Sequence, residues 1–404
     1  MARIVQKYGG SSVKDADRIL NVARRIKKYR DEGNDMVVVV SAMGGVTDRL
    51  IGLASEICDC PSEREMDMLL ATGEQQSIAL VAMALHGMGI EAISFTGAQA
   101  GIETDGIHSK ARIQNITPDR IEKALEEQHV VIVAGFQGRT QEDMITTLGR
   151  GGSDLTAVAL AASLKADLCQ IFTDVEGVYS ADPRVVKNAQ KIDTISHDEM
   201  LELASLGAKV MQSRSIEFAK KFGVTLEVRS SLSDAPGTII TEETEDMEDV
   251  VIRGVSCDKN EAKLTVQHVS DEPGQAAKLF QILAEASINV DMIIQNVSEG
   301  GRTDISFTVP KTELGRIRGK LEPEIKAETG CSDILYDEDI AKVSVVGIGM
   351  RSHSGVASAM FKTLADAGIN IQMISTSEIK ISCVVGESVA DDSVRLLHQA
   401  FGLG

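Results

Sequence analysis

Hydrophobic positions along the chain fall into short continuous runs alternating with helical spacings. Arg3-Ile4-Val5-Gln6 is brief and β-branched, which suits an inner strand of a covered sheet. From Asp17 to Tyr29 the apolar positions Ile19, Leu20, Val22, Ala23 and Ile26 recur with the helical period. Met36-Val37-Val38-Val39-Val40 is a near-continuous apolar run and predicts a buried parallel strand. Arg64 to His86 reads as helical but interrupted at Thr72-Gly73-Glu74, which would set Glu74 at a helix start. Ile90 to Phe95, Val130 to Ala134 and Leu168 to Phe172 are further strands, with an alanine-rich helix from Leu155 to Leu164. Strand, loop and helix in repeated alternation predict the α/β class, an open and mostly parallel sheet sandwiched by helices.

Glycines and polar residues gather where these strands end. Lys7-Tyr8-Gly9-Gly10-Ser11-Ser12 follows the first strand. Its glycines let backbone N–H groups approach a phosphate closely, its lysine supplies compensating charge, and it opens onto a helix N-terminus. Alone, the stretch fits a tight strand-to-helix turn with an exposed lysine equally well. The second strand runs into Ser41-Ala42-Met43-Gly44-Gly45-Val46-Thr47-Asp48, and Gly149-Arg150-Gly151-Gly152-Ser153-Asp154 precedes the alanine-rich helix. Thr173-Asp174-Val175-Glu176-Gly177-Val178-Tyr179 follows the last strand. Ligands of open α/β sheets bind outside the carboxyl ends of the strands. Lys7, Ser41, Arg150 and Asp174 all fall on such ends, and that convergence weighs more than any one motif.

Asp234-Ala235-Pro236-Gly237 and an acidic run from Glu242 to Asp249, read as a solvated linker, close a first domain over residues 1–245. An internal repeat follows. Lys263-Leu264-Thr265-Val266 corresponds to Lys342-Val343-Ser344-Val345, and Ile288-Asn289-Val290-Asp291-Met292-Ile293 to Ile369-Asn370-Ile371-Gln372-Met373-Ile374. Each copy reads as strand, glycine loop, helix, strand, strand, helix. The first closes with a strand near Ile334-Leu335-Tyr336, whereas the second reaches Gly404 one strand short. The unassigned Val250 to Ser256 is expected to supply it. The first module, 263–338, would then be inserted in the second, made of 250–262 with 339–404.

Composition narrows the function. The formal net charge of −19 argues against nucleic acid or an anionic membrane surface as partner. Aromatics are 3% of the chain with no tryptophan, so a stacking platform for bases is not expected. The six cysteines are scattered and lack metal or redox spacing, which suits a reducing cytoplasm. No apolar run is read as long enough to cross a bilayer. An anionic substrate would need local lysine and arginine against this mean field.

The chemistry that fits is phosphoryl transfer, which needs positioning and charge neutralisation more than covalent help. Lys7, Arg184 and Lys209, with the amides of Gly9, Gly10 and Gly44, suit that task. A carboxylate acceptor is already ionised at pH 7 and needs no general base. Arg150 with Asp154 suits a zwitterion, a guanidinium fork on a carboxylate and an acceptor for an ammonium. A helix cap by Ser153 or Asp154 is the competing reading. No phosphate-loop pattern of the Gly-x-x-x-x-Gly-Lys-Ser/Thr type occurs, and Gly347-x-Gly349 lacks the third glycine of a dinucleotide fingerprint. Met66, Met68, Met83 and Met88 read as core packing, and His86, His108 and His197 as structural or surface residues.

Taken together and in order, these motifs resemble the aspartate kinases of the amino acid kinase fold. Thr72-Gly73-Glu74, Asp182-Pro183-Arg184 and Gly207-Ala208-Lys209-Val210-Met211 extend the match, and the repeat resembles paired α+β ACT modules, each βαββαβ. The resemblance implies ATP- and Mg2+-dependent phosphorylation of the L-aspartate side chain. It implies Lys7 at the transferring phosphoryl group and Asp154 as a second catalytic residue. Gly9, Gly10, Ser11 and Ser41 would line the phosphates, and Thr173, Asp174, Tyr179, Asp182, Arg184, Lys209 and Val210 the nucleotide. Gly45, Thr47, Glu74, Arg150, Gly151, Ser153 and Asp154 would hold aspartate, with magnesium carried by ATP oxygens. Lysine, threonine or both would inhibit at the ACT modules, through Asp271, Gly274, Ala276, Gln295 and Asn296 in the first copy. Val356, Ala357, Asn370, Ile371, Ser377 and Glu378 would serve in the second. Tyr8 and Ser11 replace the more common phenylalanine and threonine of the first motif, and Ala357 replaces a threonine of some members. A cytoplasmic homo-oligomer joined through the ACT modules is expected, with Met247 suited to an internal start for a separate ACT subunit. Two alternatives stay open: a kinase with a glutamate-type acceptor, and an inactive amino-acid sensor.

Overall fold

The computed structural model describes residues 2–205, 210–243, 251–296, 300–351 and 353–404. By packing, the chain forms two units. Among the described residues the first comprises 2–179, 191–205 and 210–243, and the second 180–190 and those from 251 to 404.

The first unit begins with strand β1 (Arg3–Tyr8), helix α1 (Ala16–Asp31), strand β2 (Asp35–Val40), helices α2 (Val46–Ile57) and α3 (Glu63–His86), and strand β3 (Ala92–Phe95). Next come β4 (Ile102–Thr104), β5 (Ile113–Ile116), α4 (Asp119–Glu126), β6 (Val130–Ala134), β7 (Gln137–Arg139) and β8 (Ile145–Thr147). Helix α5 (Gly152–Ser163), β9 (Leu168–Thr173), β10 (Thr194–Ser196), α6 (His197–Ser205), α7 (Ser213–Phe222), β11 (Leu226–Ser230) and β12 (Thr238–Thr241) complete it. Eight strands form one sheet in the order β10-β12-β11-β9-β1-β2-β6-β3, parallel except between β11 and β12. A smaller sheet, β5-β4-β7-β8, stands apart from it.

Strand alternation explains both faces of the main sheet. Ile4, Tyr8, Met36, Val38, Val40 and Ile132 pack on Ile19, Val22 and Ile26 of α1 and on Ile78, Val81 and Leu85 of α3. Tyr8 stacks on Phe172 with centroids 4.6 Å apart, and the Arg25 guanidinium lies 5.0 Å from the Phe172 centroid. The residue before Tyr8, Lys7, consequently points to the opposite face, which carries α5.

Two local expectations change. Helix α3 runs unbroken from Glu63 to His86, so Glu74 sits mid-helix and not at a start. Gly73 is there for space: a Cβ on it would lie 2.8 Å from the Ala42 Cβ. This same helix is long and apolar enough to cross a membrane by length and composition, although it buries Asp67, Glu74 and Ser77 within the unit. Its polar interruptions hid that length in the sequence. The N-terminus of α1 is also not open to an anion, because the Asp15 carboxylate caps it by accepting from Arg18 N at 2.9 Å.

The second unit holds two four-stranded antiparallel sheets. Its strands are β13 (Gly254–Asp258), β14 (Glu261–Ser270), β15 (Ile293–Gln295), β16 (Arg302–Pro310), β17 (Asp333–Asp337), β18 (Ile340–Val346), β19 (Met373–Thr376) and β20 (Lys380–Gly386). Their orders are β15-β16-β14-β17 and β13-β18-β20-β19. Strand β13, which precedes the first copy of the repeat, thus pairs with β18 of the second. Helices Gln275–Glu285 and Val356–Asp366 occupy matching places, each preceded by a glycine with φ of 101°. Within the stretch 1–245, Ser180–Gln190 packs with this unit, its Ala181 and Val186 sharing a core with Val255, Val343 and Leu397.

Phe172→Ala is expected to lower stability by about 3–5 kcal/mol, because it empties a fully buried ring site. Equilibrium denaturation in urea checks this.

Candidate active site

The loops at the carboxyl ends of β1 and β2 lock together through glycine. A Cβ on Gly10 would lie 2.8 Å from the Ala42 carbonyl oxygen, a distance that leaves room only for hydrogen. Gly44 N donates to Gly10 O at 3.1 Å, and Ser41 N to Tyr8 O at 3.0 Å. Beside them the Lys7 ammonium lies 2.6 Å from Asp154 Oδ1, both side chains being nearly buried at 13% and 11% exposure. Gly9 is next to that ammonium, the ideal Cβ position being 3.5 Å from Lys7 Nζ.

Asp154 stands in the first turn of α5, whose cap is Gly151 in the left-handed region at φ 72°, with no side chain capping. The competing reading of Ser153 or Asp154 as a cap therefore fails, and Asp154 is free to hold Lys7. A Cβ on Gly135, at the end of β6, would lie 2.7 Å from Ser153 Oγ. Gly135 N donates to Val40 O at 3.0 Å, tying β6 to the same cluster. Helix α2 likewise starts on a left-handed glycine, Gly45 at φ 80°, without a side-chain cap, and carries Thr47 in its first turn. Both helix N-termini, free of side-chain caps, carry the favourable end of a helix dipole.

Glu74 is the most perturbed acid here. It is 4% exposed, accepts from Ala42 N at 3.0 Å through Oε1, and leaves Oε2 buried without a partner. Burial pushes its pKa up to about 7, against the opposing pull of the Ala42 amide. A buried carboxylate oxygen without a donor is costly unless a ligand supplies one.

Direct contacts thus bring together Lys7, Gly9, Gly10, Ser41, Glu74, Ser153 and Asp154, with Gly45, Thr47 and Gly151 on the same loops and helix starts. Arg150 is exposed at the rim and Ser11 also faces outward. On the other side of β1, Thr173 donates to Asp174 at 3.1 Å, and Ser12 to Ser231 at 2.8 Å. Tyr179 is half-buried, its phenol pushed up first by burial and then by Glu176. Asp182 and Arg184 stand on the Ser180–Gln190 segment of the second unit, where they pair with each other at 2.7 Å. That pairing, led by the Arg184 hydrogen bond, holds the Asp182 carboxyl below its usual range. Val210 is half-buried, and Lys209 lies outside the described residues, as does Met247.

Of the residues expected to bind effectors, Val356, Ala357, Ser377 and Glu378 line a cavity of about 460 Å³ in the second unit, together with Met350 and His353. Asn370 and Ile371 do not line it. Asp271, Gly274, Ala276, Gln295 and Asn296 occupy equivalent ground in the first copy; Gly274 precedes its helix, and Asn296 O accepts from Thr303 Oγ1 at 2.7 Å.

Several contributors were not singled out from sequence. Gly135 gave a signal, since it ends a strand as the other site loops do. The Ala42 amide and Ser231 gave none. His86 and His197 bond backbone carbonyls, whereas His108 meets a buried carboxylate, Asp67.

The sheet, the loop cluster at its strand ends and the repeated α+β modules define an amino acid kinase joined to paired ACT modules. A model of the amino acid kinase family matches residues 2–230, and one of the ACT domain matches 266–316 and 343–401. An aspartokinase of Mycolicibacterium smegmatis is 54% identical, over 100% of this chain and 97% of its own. The crystal structure of E. coli aspartokinase III with aspartate and ADP, in the R-state, superposes with a TM-score of 0.83 at 27% identity, covering 98% of this chain and 99% of that one. The T-state complex of that protein with lysine and aspartate gives 0.77 at 28% identity, covering 98% and 99%. The chain belongs to the aspartokinase family.

Glu74→Gln tests the buried acid. The folded chain retains a proton on Glu74 that the unfolded chain releases between its ordinary 4.5 and about 7, so Glu74 costs increasing stability as pH rises through that window. The substitution keeps the acceptor for Ala42 N and removes the charge. Thermal melts of the ligand-free protein are expected to show the variant more stable at pH 8, by at most about 3 kcal/mol, and no more stable at pH 4. The aspartate KM is expected to rise.

Proposed function

We propose that this loop cluster transfers the γ-phosphoryl group of ATP to the side-chain carboxylate of L-aspartate, giving 4-phospho-L-aspartate, the first step toward lysine, threonine and methionine. The observation that carries the reading is the Lys7–Asp154 pair at the strand ends, next to a buried glutamate oxygen that lacks a donor. A zwitterionic substrate supplies that donor: its ammonium reaches Glu74 Oε2, and Asp154 offers a second acceptor. Arg150 forks on the α-carboxylate, with Gly45, Thr47, Gly151 and Ser153 around it.

The attacking carboxylate oxygen forms its bond to the γ-phosphorus as the bond to the β–γ bridging oxygen breaks, and ADP leaves with the electron pair. No proton has to be removed from the acceptor. Charge is the main obstacle, since the two substrates repel each other. Lys7, shared between Asp154 and the transferring group, and the amides of Gly9 and Gly10 offset it in a site largely shielded from water. Ser11 and Ser41 complete the phosphate lining. Thr173, Asp174, Tyr179, Asp182, Arg184, Lys209 and Val210 form the nucleotide side. Among the described residues no three His, Cys, Asp or Glu side chains are arranged to hold a metal. In this reading magnesium would be held by the phosphate oxygens of ATP, a ligand set it commonly takes, and would neutralise part of their charge.

The cavity at Val356, Ala357, Ser377 and Glu378 is large enough for a free amino acid, and lysine, threonine or both are its proposed occupants. Edge strands β15 and β19 leave Ile293 and Ile374 exposed at matching positions of the two modules, 52% and 42%. Pairing of these edges between copies would make the enzyme a homo-oligomer through its ACT modules. A cytoplasmic location belongs to the same reading.

ADP release measured with aspartate and with glutamate tests the acceptor; turnover with glutamate alone rejects it. Lys7→Ala is expected to abolish hydroxylamine-trappable aspartyl phosphate while leaving effector binding to the ACT modules intact. Turnover at the parent rate in that variant would remove Lys7 from the chemistry. Titrating the assay with lysine and threonine, separately and together, identifies the inhibitors.

A further inference from the structure

Helix α3 carries a second buried acid, two turns before Glu74 and on the same side of the helix. Asp67 is fully buried and its carboxylate accepts from three neighbours. Thr147 Oγ1 donates to Oδ1 at 2.5 Å, Ser109 N lies 3.1 Å from both oxygens, and His108 Nδ1 is 2.7 Å from Oδ2. Thr147 ends β8 and stands three residues before Arg150.

The rest of that short connection is held as firmly. Leu148 N donates to Phe136 O at 2.8 Å, and Ala111 N to Thr147 O at 2.9 Å. Arg214 of α7 donates to Leu148 O at 3.2 Å and to Ala111 O at 3.1 Å. Gly149 then turns at φ 76°, the ideal position of a Cβ on it being 3.2 Å from Ser109 O, the residue whose amide Asp67 holds. Arg150 follows between these anchors and the start of α5, where Gly149 O accepts from Gly152 N at 3.0 Å.

We propose that Asp67 is a positioning residue for aspartate binding: from α3 it fixes the Thr147 end of the loop that presents Arg150. Helix α3 thereby sets the spacing between two loops, holding Ala42 through Glu74 and Thr147 through Asp67. The inference rests on the reading of Arg150 as the grip on the substrate carboxylate. A carboxylate whose only task is to complete the fold would lower the yield of active enzyme without altering affinity for one substrate. Asp67 acts on one of the two substrates, because the loop it holds carries Arg150 and none of the phosphate-lining glycines.

The test compares Asp67→Asn, Thr147→Val, Thr147→Ser and Arg150→Ala by steady-state kinetics on the full chain. The first two are expected to raise the aspartate KM by about tenfold to a hundredfold, the range expected of a misplaced binding group. The ATP KM and kcat at saturating aspartate are expected to stay within about threefold, and Thr147→Ser to stay near the parent. If Asp67→Asn fails to fold, Thr147→Val decides, since it removes one hydroxyl and leaves the carboxylate its other donors. An aspartate KM unchanged in these variants while Arg150→Ala raises it overturns the positioning role alone. An aspartate KM unchanged in Arg150→Ala removes the reading of Arg150 itself, and the inference with it.

Discussion

An ammonium and a carboxylate held 2.6 Å apart near the carboxyl end of an inner strand set the terms for everything around them. Taking two charges largely out of water is costly, and mutual attraction repays it only with good geometry and further partners. Here the geometry comes from rigid elements. Lys7 is on an inner strand flanked on both sides by parallel neighbours, and Asp154 is in the first turn of a helix packed against that strand. Neither end can drift without disturbing the core.

Glycine sets the distances. At Gly10, Gly73 and Gly135 a Cβ would come within 2.7–2.8 Å of Ala42 or Ser153. These contacts draw the ends of β1, β2 and β6 and the body of α3 to one place. Glu74 is buried by the same closeness. Its raised pKa and its unpartnered oxygen are consequences of how tightly α3 approaches the second loop, not of any neighbouring charge.

The second unit repeats one solution twice. In each copy a left-handed glycine opens a helix beside an edge strand that carries an exposed isoleucine. A cavity lies at this place in the second copy. Ser180–Gln190 belongs to this unit through Ala181 and Val186, so two residues read as nucleotide ligands, Asp182 and Arg184, stand on chain packed into the regulatory unit.

The sequence by itself determined the α/β class, the repeated modules and the strand-end loops, because buried parallel strands, glycine punctuation and an internal repeat are local patterns. Lys7, Arg150 and Asp154 were legible as chemistry for the same reason. Tertiary structure decided what depends on approach between distant segments. The stretch Thr72-Gly73-Glu74 looked like a helix break, since glycine is a poor helix former, yet packing against Ala42 requires a glycine inside a continuous helix. Asp67 and His108, 41 residues apart, carried no shared signal until the fold placed one against the other. The value of Glu74 as a buried acid, and the partnership of Lys7 with Asp154, likewise arise from burial and distance, which only the folded chain possesses.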